Sequence, residues 1–335
     1  MDLVYSSTSF GFVGSSFSSM LRSTLWGSTD MIMLKPLDGT ASNAVDPLVT
    51  PLRFQSSSRR KIERKPSELT EASFEALHRN WDPETALALQ KIIDMPVPNG
   101  RKKVAAFDAD GTIWTNDVAE IFMKWMEEHD YWPRPGNYCE RYDQMIAEGK
   151  ISEAYGYAAQ LFAGMPISEI RQRTKECFEE HTIQCIRPEM QQLLQLLHDR
   201  KDWEVYIVSA SPKWVVDAGA FHMGLSPENV IGIEVEEKNG MGTDQLKLPI
   251  PLREGKAVVL QKILDGRSAS LCAGNSLDDE ALLQTSSGVS IVVTPESVPT
   301  EENRRACREL TQMAAEHGWM VHRPCHVVEE NAIYA

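Results

Sequence analysis

KVAAFDADGT, Lys103 to Thr112, is a short apolar run that ends in two acids. An apolar run closed by an acid is the pattern of a buried parallel strand that delivers a carboxylate at its C-terminal end. Asp108 and Asp110, one residue apart, can both point into a crevice as the chain leaves the sheet. One acid can be a nucleophile and the other a general acid and base, the division of labour that phosphoryl transfer needs. Gly111 allows a sharp turn, and backbone N–H groups beside it suit phosphate oxygens. A bare DxD is also a common solvated turn. The apolar strand before this one and the Gly-Thr after it favour chemistry.

Working outward, Trp203 to Ser209 (WEVYIVS) reads as a second buried strand, and Ala269 to Ala273 and Val289 to Val293 as further ones. Helical patterns over Pro212 to Phe221, Glu254 to Leu264 and Asp278 to Leu283 separate them. Strands alternating with helices predict an α/β fold, a Rossmann-like doubly wound parallel sheet. Val118 to about Leu197 reads as several helices with Met, Trp and Tyr on apolar faces, an inserted α-helical cap subdomain over the strand ends. Val230 to Glu236, an Asn239-Gly240 turn and Gln245 to Pro249 suggest a hairpin. Ser67 to Met95 reads as helical, broken at Trp81-Asp82-Pro83. The expected organisation is a Ser-rich disordered leader at 1–65, a helical segment at 66–100, a core at 101–116 and 200–335, and a cap at 117–199.

The chain has 335 residues, 42% of them hydrophobic, enough for one catalytic domain with an insertion and extra terminal segments. A formal net charge of -14 argues against nucleic acid as a partner, since phosphate backbones demand clustered Lys and Arg. No stretch is apolar for long enough to span a bilayer. Met1 to Gly27 lacks the basic start, apolar core and cleavage site of a secretory signal, so the cytoplasm is the expected compartment. The Ser-rich, acid-poor leader and the basic run Arg59, Arg60, Lys61, Arg64 and Lys65 nevertheless have the composition of a secretion or organelle-targeting sequence. The six cysteines form no CxxC pair and suggest reduced thiols rather than a zinc site or a disulfide framework. Oligomeric state leaves no mark in the sequence.

Three more segments carry chemistry. Ser209, at the end of an apolar strand, can hold a phosphate oxygen together with the N–H groups that follow, or Ser209 or Ser211 can merely cap the next helix. Lys256, after Gly255 at a helix start, is a compact cation able to neutralise a phosphoryl group. LCAGNSLDD, Leu271 to Asp279, is a strand followed by a turn dense in oxygen ligands, suited to a hard cation such as Mg2+. Asn275 is expected to coordinate directly, and Asp279 directly or through water, with Asp278 the adjacent alternative.

In this order and spacing the four segments resemble the motifs of the haloacid-dehalogenase superfamily, in its phosphoserine-phosphatase-like branch with a helical cap. The resemblance covers roughly Lys102 to Val293. It implies an Mg2+-dependent phosphatase in which Asp108 is phosphorylated. Asp110 protonates the leaving group and then activates water. Asp108 and the backbone carbonyl of Asp110 bind the metal, and Thr112, Ser209, Ala210 and Lys256 hold the phosphoryl group. Many relatives have Asp where this chain has Asn275, so one negative charge is lost. Asp117 lies where phosphoserine phosphatases hold the substrate ammonium group, whereas the arginine they use for its carboxylate has no match in Tyr155 to Phe162. The implied partner is a small phosphorylated metabolite, with an amino-alcohol phosphate in view. Trp114, Tyr155, Tyr157 and Trp214 could cage a quaternary ammonium, although core packing is the commoner use of such residues. The competing readings are a phosphotransferase on the same scaffold and a translocated interaction protein with such a domain.

Overall fold

The computed structural model describes residues 75, 77–97, 101–294 and 301–324. The leader at 1–65, with its basic run, and Cys325 lie outside the described residues. Six parallel strands form the main sheet: β1 (Lys103–Phe107), β2 (Trp203–Pro212), β3 (Val230–Ile233), β6 (Ala269–Gly274), β7 (Ser286–Val293) and β8 (Met320–His322). Their order is β3-β2-β1-β6-β7-β8. The chain builds outward from β1 through β2 to β3, then returns to the other side of β1 and builds through β6 to β8. The order reverses at β1, and the crevice at such a reversal is where α/β sheets bind ligands.

Side chains alternate along β1 and so divide the core into two layers. Ala105 and Phe107 join Val205, Ile207, Leu271, Ala273 and Ile291 on one face, under α1 (Pro83–Asp94), α6 (Pro188–Asp199) and α7 (Lys213–His222). Val104 and Ala106 join Val208, Ile231, Cys272 and Val292 on the other, under α8 (Glu254–Leu264), α9 (Glu280–Gln284) and α10 (Glu301–His317). With helices on both faces, β1 can be buried at every residue. The sheet is therefore doubly wound, as its strand sequences required.

Between β1 and β2 the chain inserts α2 (Val118–Glu128), α3 (Tyr138–Ala147), α4 (Ile151–Gln160) and α5 (Ile167–His181). Asp117 caps α2, accepting the Glu120 N–H at 2.9 Å. Phe122 sits edge-on to Trp132 and against Phe162, giving the insertion its own aromatic core. Helix α6, which the sequence pattern assigned to the cap, packs on β2 through its buried Leu193, Leu194 and Leu197 and is the crossover into the sheet. A helical period reveals an apolar stripe but not what covers it.

The hairpin is shorter than expected. It comprises β4 (Val235–Lys238) and β5 (Met241–Leu246) around Asn239 and Gly240, both at positive φ, and β5 lies against α4. Val230–Ile233, read as its first arm, is buried along its whole length and pairs with β2 as β3. The break at Asp82 is present, with Pro83 opening α1.

Candidate active site

The ends of β1, β2 and β6 meet at the crevice. Asp108 follows β1 and its N–H donates to Ala273 O at 2.9 Å. Its carboxylate is 4% exposed and held from two sides, Oδ1 by Lys256 Nζ at 2.6 Å and Oδ2 by Thr112 Oγ1 at 2.8 Å. Burial and the neighbouring Asp279 push Asp108 up to about 7, against the pull of Lys256. Lys256 loses solvation too, but Asp108 and Asp279 hold it above its ordinary value, so it remains a cation.

Asp279, expected to act on a cation directly or through water, has protein partners on both oxygens. Its Oδ1 takes Lys256 Nζ at 2.5 Å, while Oδ2 takes the N–H groups of Asn275 and Ser276 and the Ser276 hydroxyl at 2.8–3.1 Å. At 0% exposure it orients Lys256 and shapes the turn after β6. Asp278 turns outward and pairs with Arg253 Nε at 2.9 Å.

Asp110 reaches the other wall. Its Oδ1 accepts the Trp114 indole N–H at 2.7 Å and the Val118 N–H at 3.0 Å. Its Oδ2 accepts the Ser211 hydroxyl at 2.7 Å and the Ser209 hydroxyl at 3.3 Å. Ser209 and Ser211, two residues apart on β2, share one face of the strand and so both turn that way, while the β2–β3 ladder loses register between Val208 and Pro212. Partly exposed Ala210 lies in the same irregular stretch. Ser211 was read from sequence only as a possible cap of the following helix, not as a partner of Asp110.

Gly111 occupies φ +77°, and a Cβ there would come within 2.0 Å of Asn275 Nδ2. Its N–H donates to Trp114 O at 2.7 Å, which aims the Asp110 carbonyl, on the opposite edge of the same planar peptide, away from Trp114. That carbonyl faces the Asn275 amide at 3.0 Å, with Asp108 Oδ2 at 3.1 Å and Thr112 Oγ1 at 3.2 Å. With its NH2 turned inward, Asn275 donates to these oxygens. With its oxygen inward, it completes a set of hard oxygen donors, the chemistry Mg2+ selects. Among the described residues no group of three or more His, Cys, Asp or Glu side chains is placed to hold a metal. The oxygen set here draws instead on one carboxylate, one backbone carbonyl and one amide.

Over the crevice, Asp117 is half-buried, and burial, Asp110 and Glu120 together push its carboxyl well up. Burial raises the Tyr155 phenol on α4, and the charges of Asp117, Asp278, Glu120 and Asp110 raise it further. Trp114 is 0% exposed, edge-on to Phe178, and Trp214 packs on Phe162, so these two rings belong to the core and line no cage.

A parallel sheet reversing at β1, with an acid pair at that strand's tip and a buried lysine across from it, defines a hydrolase of the α/β class with a cap. The chain belongs to the haloacid dehalogenase-like hydrolases, whose family model matches residues 105–284. Among solved structures, a protein of unknown function from Bordetella pertussis Tohama I aligns at TM-score 0.54 and 18% identity, over 66% of this chain and 98% of its own. A functionally unknown protein from Anaerococcus prevotii DSM 20548 aligns at TM-score 0.55 and 17% identity, over 72% and 92%. A phospho-aspartyl intermediate analogue of phosphoserine phosphatase aligns at TM-score 0.41 and 15% identity, over 63% and 98%, too loosely to carry an argument. No curated protein matches the sequence. Among the described residues no helix is long and apolar enough to cross a membrane.

Proposed function

We propose that the protein is an Mg2+-dependent phosphomonoester hydrolase of the phosphoserine-phosphatase-like branch, working through a phosphoryl group carried on Asp108. The observation that carries this reading is the environment of Asp108: buried, fixed on one oxygen by Lys256 and on the other by Thr112, with the Asp110 carbonyl and Asn275 amide alongside. Two carboxylates, Asp108 and Asp279, face one lysine, and the nearby Asp110 adds a third negative charge, so the site is short of positive charge. Asp108, the Asp110 carbonyl and Asn275 would hold Mg2+, which when bound supplies that charge and polarises the phosphoryl oxygens.

In the first step an Asp108 oxygen bonds to phosphorus as the ester P–O bond breaks, and Asp110 gives its proton to the departing oxygen. In the second, Asp110 takes a proton from water, the water oxygen bonds to phosphorus, and the Asp108 carboxylate is released with inorganic phosphate. Oδ1 of Asp110 faces two N–H donors that cannot reverse, whereas the hydroxyls at Oδ2 can turn from donor to acceptor. The transferable proton therefore resides at Oδ2, beside Ser209 and Ser211. Lys256 favours the ionised nucleophile against the burial and the Asp279 charge that raise it, and the Ala210 N–H would meet a phosphate oxygen, the Ser211 N–H being taken by Ser209 Oγ at 3.0 Å.

The mouth supports an amino-bearing leaving group. The charges of Asp110 and Glu120 raise Asp117, and a substrate ammonium there would offset that repulsion. Hydrolysis of p-nitrophenyl phosphate should depend on Mg2+ and be abolished by EDTA. Asp108→Asn should lower kcat on the order of 10^4-fold or more. Asp110→Asn should lower it about 10^2- to 10^4-fold with phosphate still bound. Amino-alcohol phosphates should exceed sugar phosphates in kcat/KM. Turnover by Asp108→Asn at the wild-type rate would overturn the assignment.

A further inference from the structure

A row of charged and polar side chains, mostly buried, runs behind the catalytic loop, built partly from residues outside the matched family region. Its inner end is Arg187, 4% exposed, whose Nη2 donates to Gly111 O at 3.4 Å. The backbone around it is sewn to the same loop. Arg187 N–H donates to Ile113 O at 2.9 Å, Thr115 N–H donates to Cys185 O at 3.0 Å, and Trp114 bridges Ile186. Next to Arg187 lies Glu189, 1% exposed, with no hydrogen-bond partner on either oxygen among the described residues. Its neighbours are the Arg187 cation and His322 Nε2, the latter 3.5 Å from Oε1. Burial by itself would raise the Glu189 carboxyl, yet His322, the residue's own N–H and, least, Arg187 together hold it below its ordinary value.

The row continues outward. His322 on β8 is 0% exposed, packs on Trp81 with the rings tilted by 32° and their centroids 4.1 Å apart, and presents Nδ1 to Asp82 Oδ2 at 3.2 Å. Asp82 also accepts the Arg323 N–H at 3.0 Å and so closes the row at the start of α1. Trp81, Asp82 and His322 all lie outside 105–284. Burying charged groups in a row is costly where apolar side chains would pack as well, and the best-attested return is a fixed geometry. Here the geometry at stake is that of Gly111, the residue between Asp110 and Thr112.

We infer that Asp82, His322, Glu189 and Arg187 form a strut that sets the position of the catalytic loop, with Glu189 and Arg187 as positioning residues and both flanking segments as parts of the catalytic unit. The inference rests on the proposed roles of Asp108 and Asp110. Its physical content, a loop held from behind, can be measured without them. In the full chain, Glu189→Gln keeps the shape and removes the charge, Arg187→Met removes the cation, and Arg187→Lys restores it.

Amide exchange of residues 108–118 is compared with that of 203–208 in β2, alongside kcat and KM on p-nitrophenyl phosphate. The strut predicts exchange in 108–118 faster by about ten-fold or more in Glu189→Gln and Arg187→Met, with 203–208 unchanged. It predicts kcat lower by about 10- to 100-fold with KM little moved, since small misplacement of reacting groups slows chemistry more than binding. Arg187→Lys should recover most of both, and the double variant should be no worse than the poorer single one. Unchanged exchange in 108–118, or equal acceleration in both segments, overturns the strut. Should Arg187→Met fail to fold, Glu189→Gln and His322→Gln decide by the same exchange criterion. An inactive wild type would sink the phosphatase reading while leaving the exchange result to judge the strut.

Discussion

At the scale of single residues, the site turns on the one place where an amide stands among oxygens. Asn275 meets Asp108 Oδ2 at 3.1 Å and the Asp110 carbonyl at 3.0 Å. A half-turn of its amide converts a donor into a ligand, so it can satisfy these oxygens with or without a cation. A carboxylate cannot do this. Asn275→Asp would bring a second negative charge against Asp108, already raised by burial and Asp279. The variant should melt lower than wild type in EDTA and gain more on adding Mg2+, with a tighter Mg2+ titration. An Mg2+ response identical to that of wild type would remove Asn275 from the cation set. The types of the site residues were readable in sequence, because strand tips that end in Asp, Ser and Asn are local patterns. What Asp279 does was not. Whether a carboxylate faces a cation or a lysine depends on how the turn after β6 folds back on α8, and spacing carries no such information.

At the scale of elements, the strands and most helices were legible because burial on two faces writes continuous apolar runs. Partnership was less so. Helix α6 and strand β3 have the expected type in an unexpected layer, since each pattern fits cap or core equally until its neighbours are placed. The loop before α8 shows a feature that composition does not reveal. Arg253 sits at φ 52° and ψ -121°, a conformation suited to glycine. That backbone lets the Arg253 carbonyl accept the Lys256 N–H at 3.0 Å in the first turn of α8, whose lysine reaches Asp108. Such strain costs about 1–3 kcal/mol and gathers at functional sites. The Arg253–Asp278 pair is half-exposed and contributes roughly 0–1 kcal/mol. Relief of strain should therefore win. Arg253→Gly should raise Tm by about 2–4 °C, whereas Arg253→Lys should not. A lower Tm for Arg253→Gly would show that the ion pair across the rim outweighs the backbone.

At the scale of the whole molecule, the question is how α1, which lies before the matched family region, is fastened to the sheet. One buried lysine does much of this. Lys103 opens β1, and its Nζ donates to the carbonyls of Ile92 at 3.2 Å, Ile93 at 2.7 Å and Met95 at 2.8 Å. These lie at the C-terminal end of α1, where carbonyls lack partners and the helix dipole favours a cation. Asp202 at 3.4 Å and the Trp203 ring at 4.8 Å hold the ammonium from the sheet side. The strand that ends in Asp108 thus begins by clamping the helix that carries Asp82 at its start. Lys103→Met would keep the apolar stem and leave those carbonyls unpaired in a buried place. Hydrogen bonds to a charged group are worth about 1.5–3 kcal/mol, so the loss should be about 2 kcal/mol or more. In a chain of this size that corresponds to a Tm lower by roughly 4–8 °C. Because the loss falls on the α1–sheet contact, limited proteolysis should cut within 77–97 before it reaches the sheet. Cleavage that begins elsewhere, or an unchanged Tm, would mean that α1 is held by its apolar contacts with β7 and β8 and needs no charged fastening.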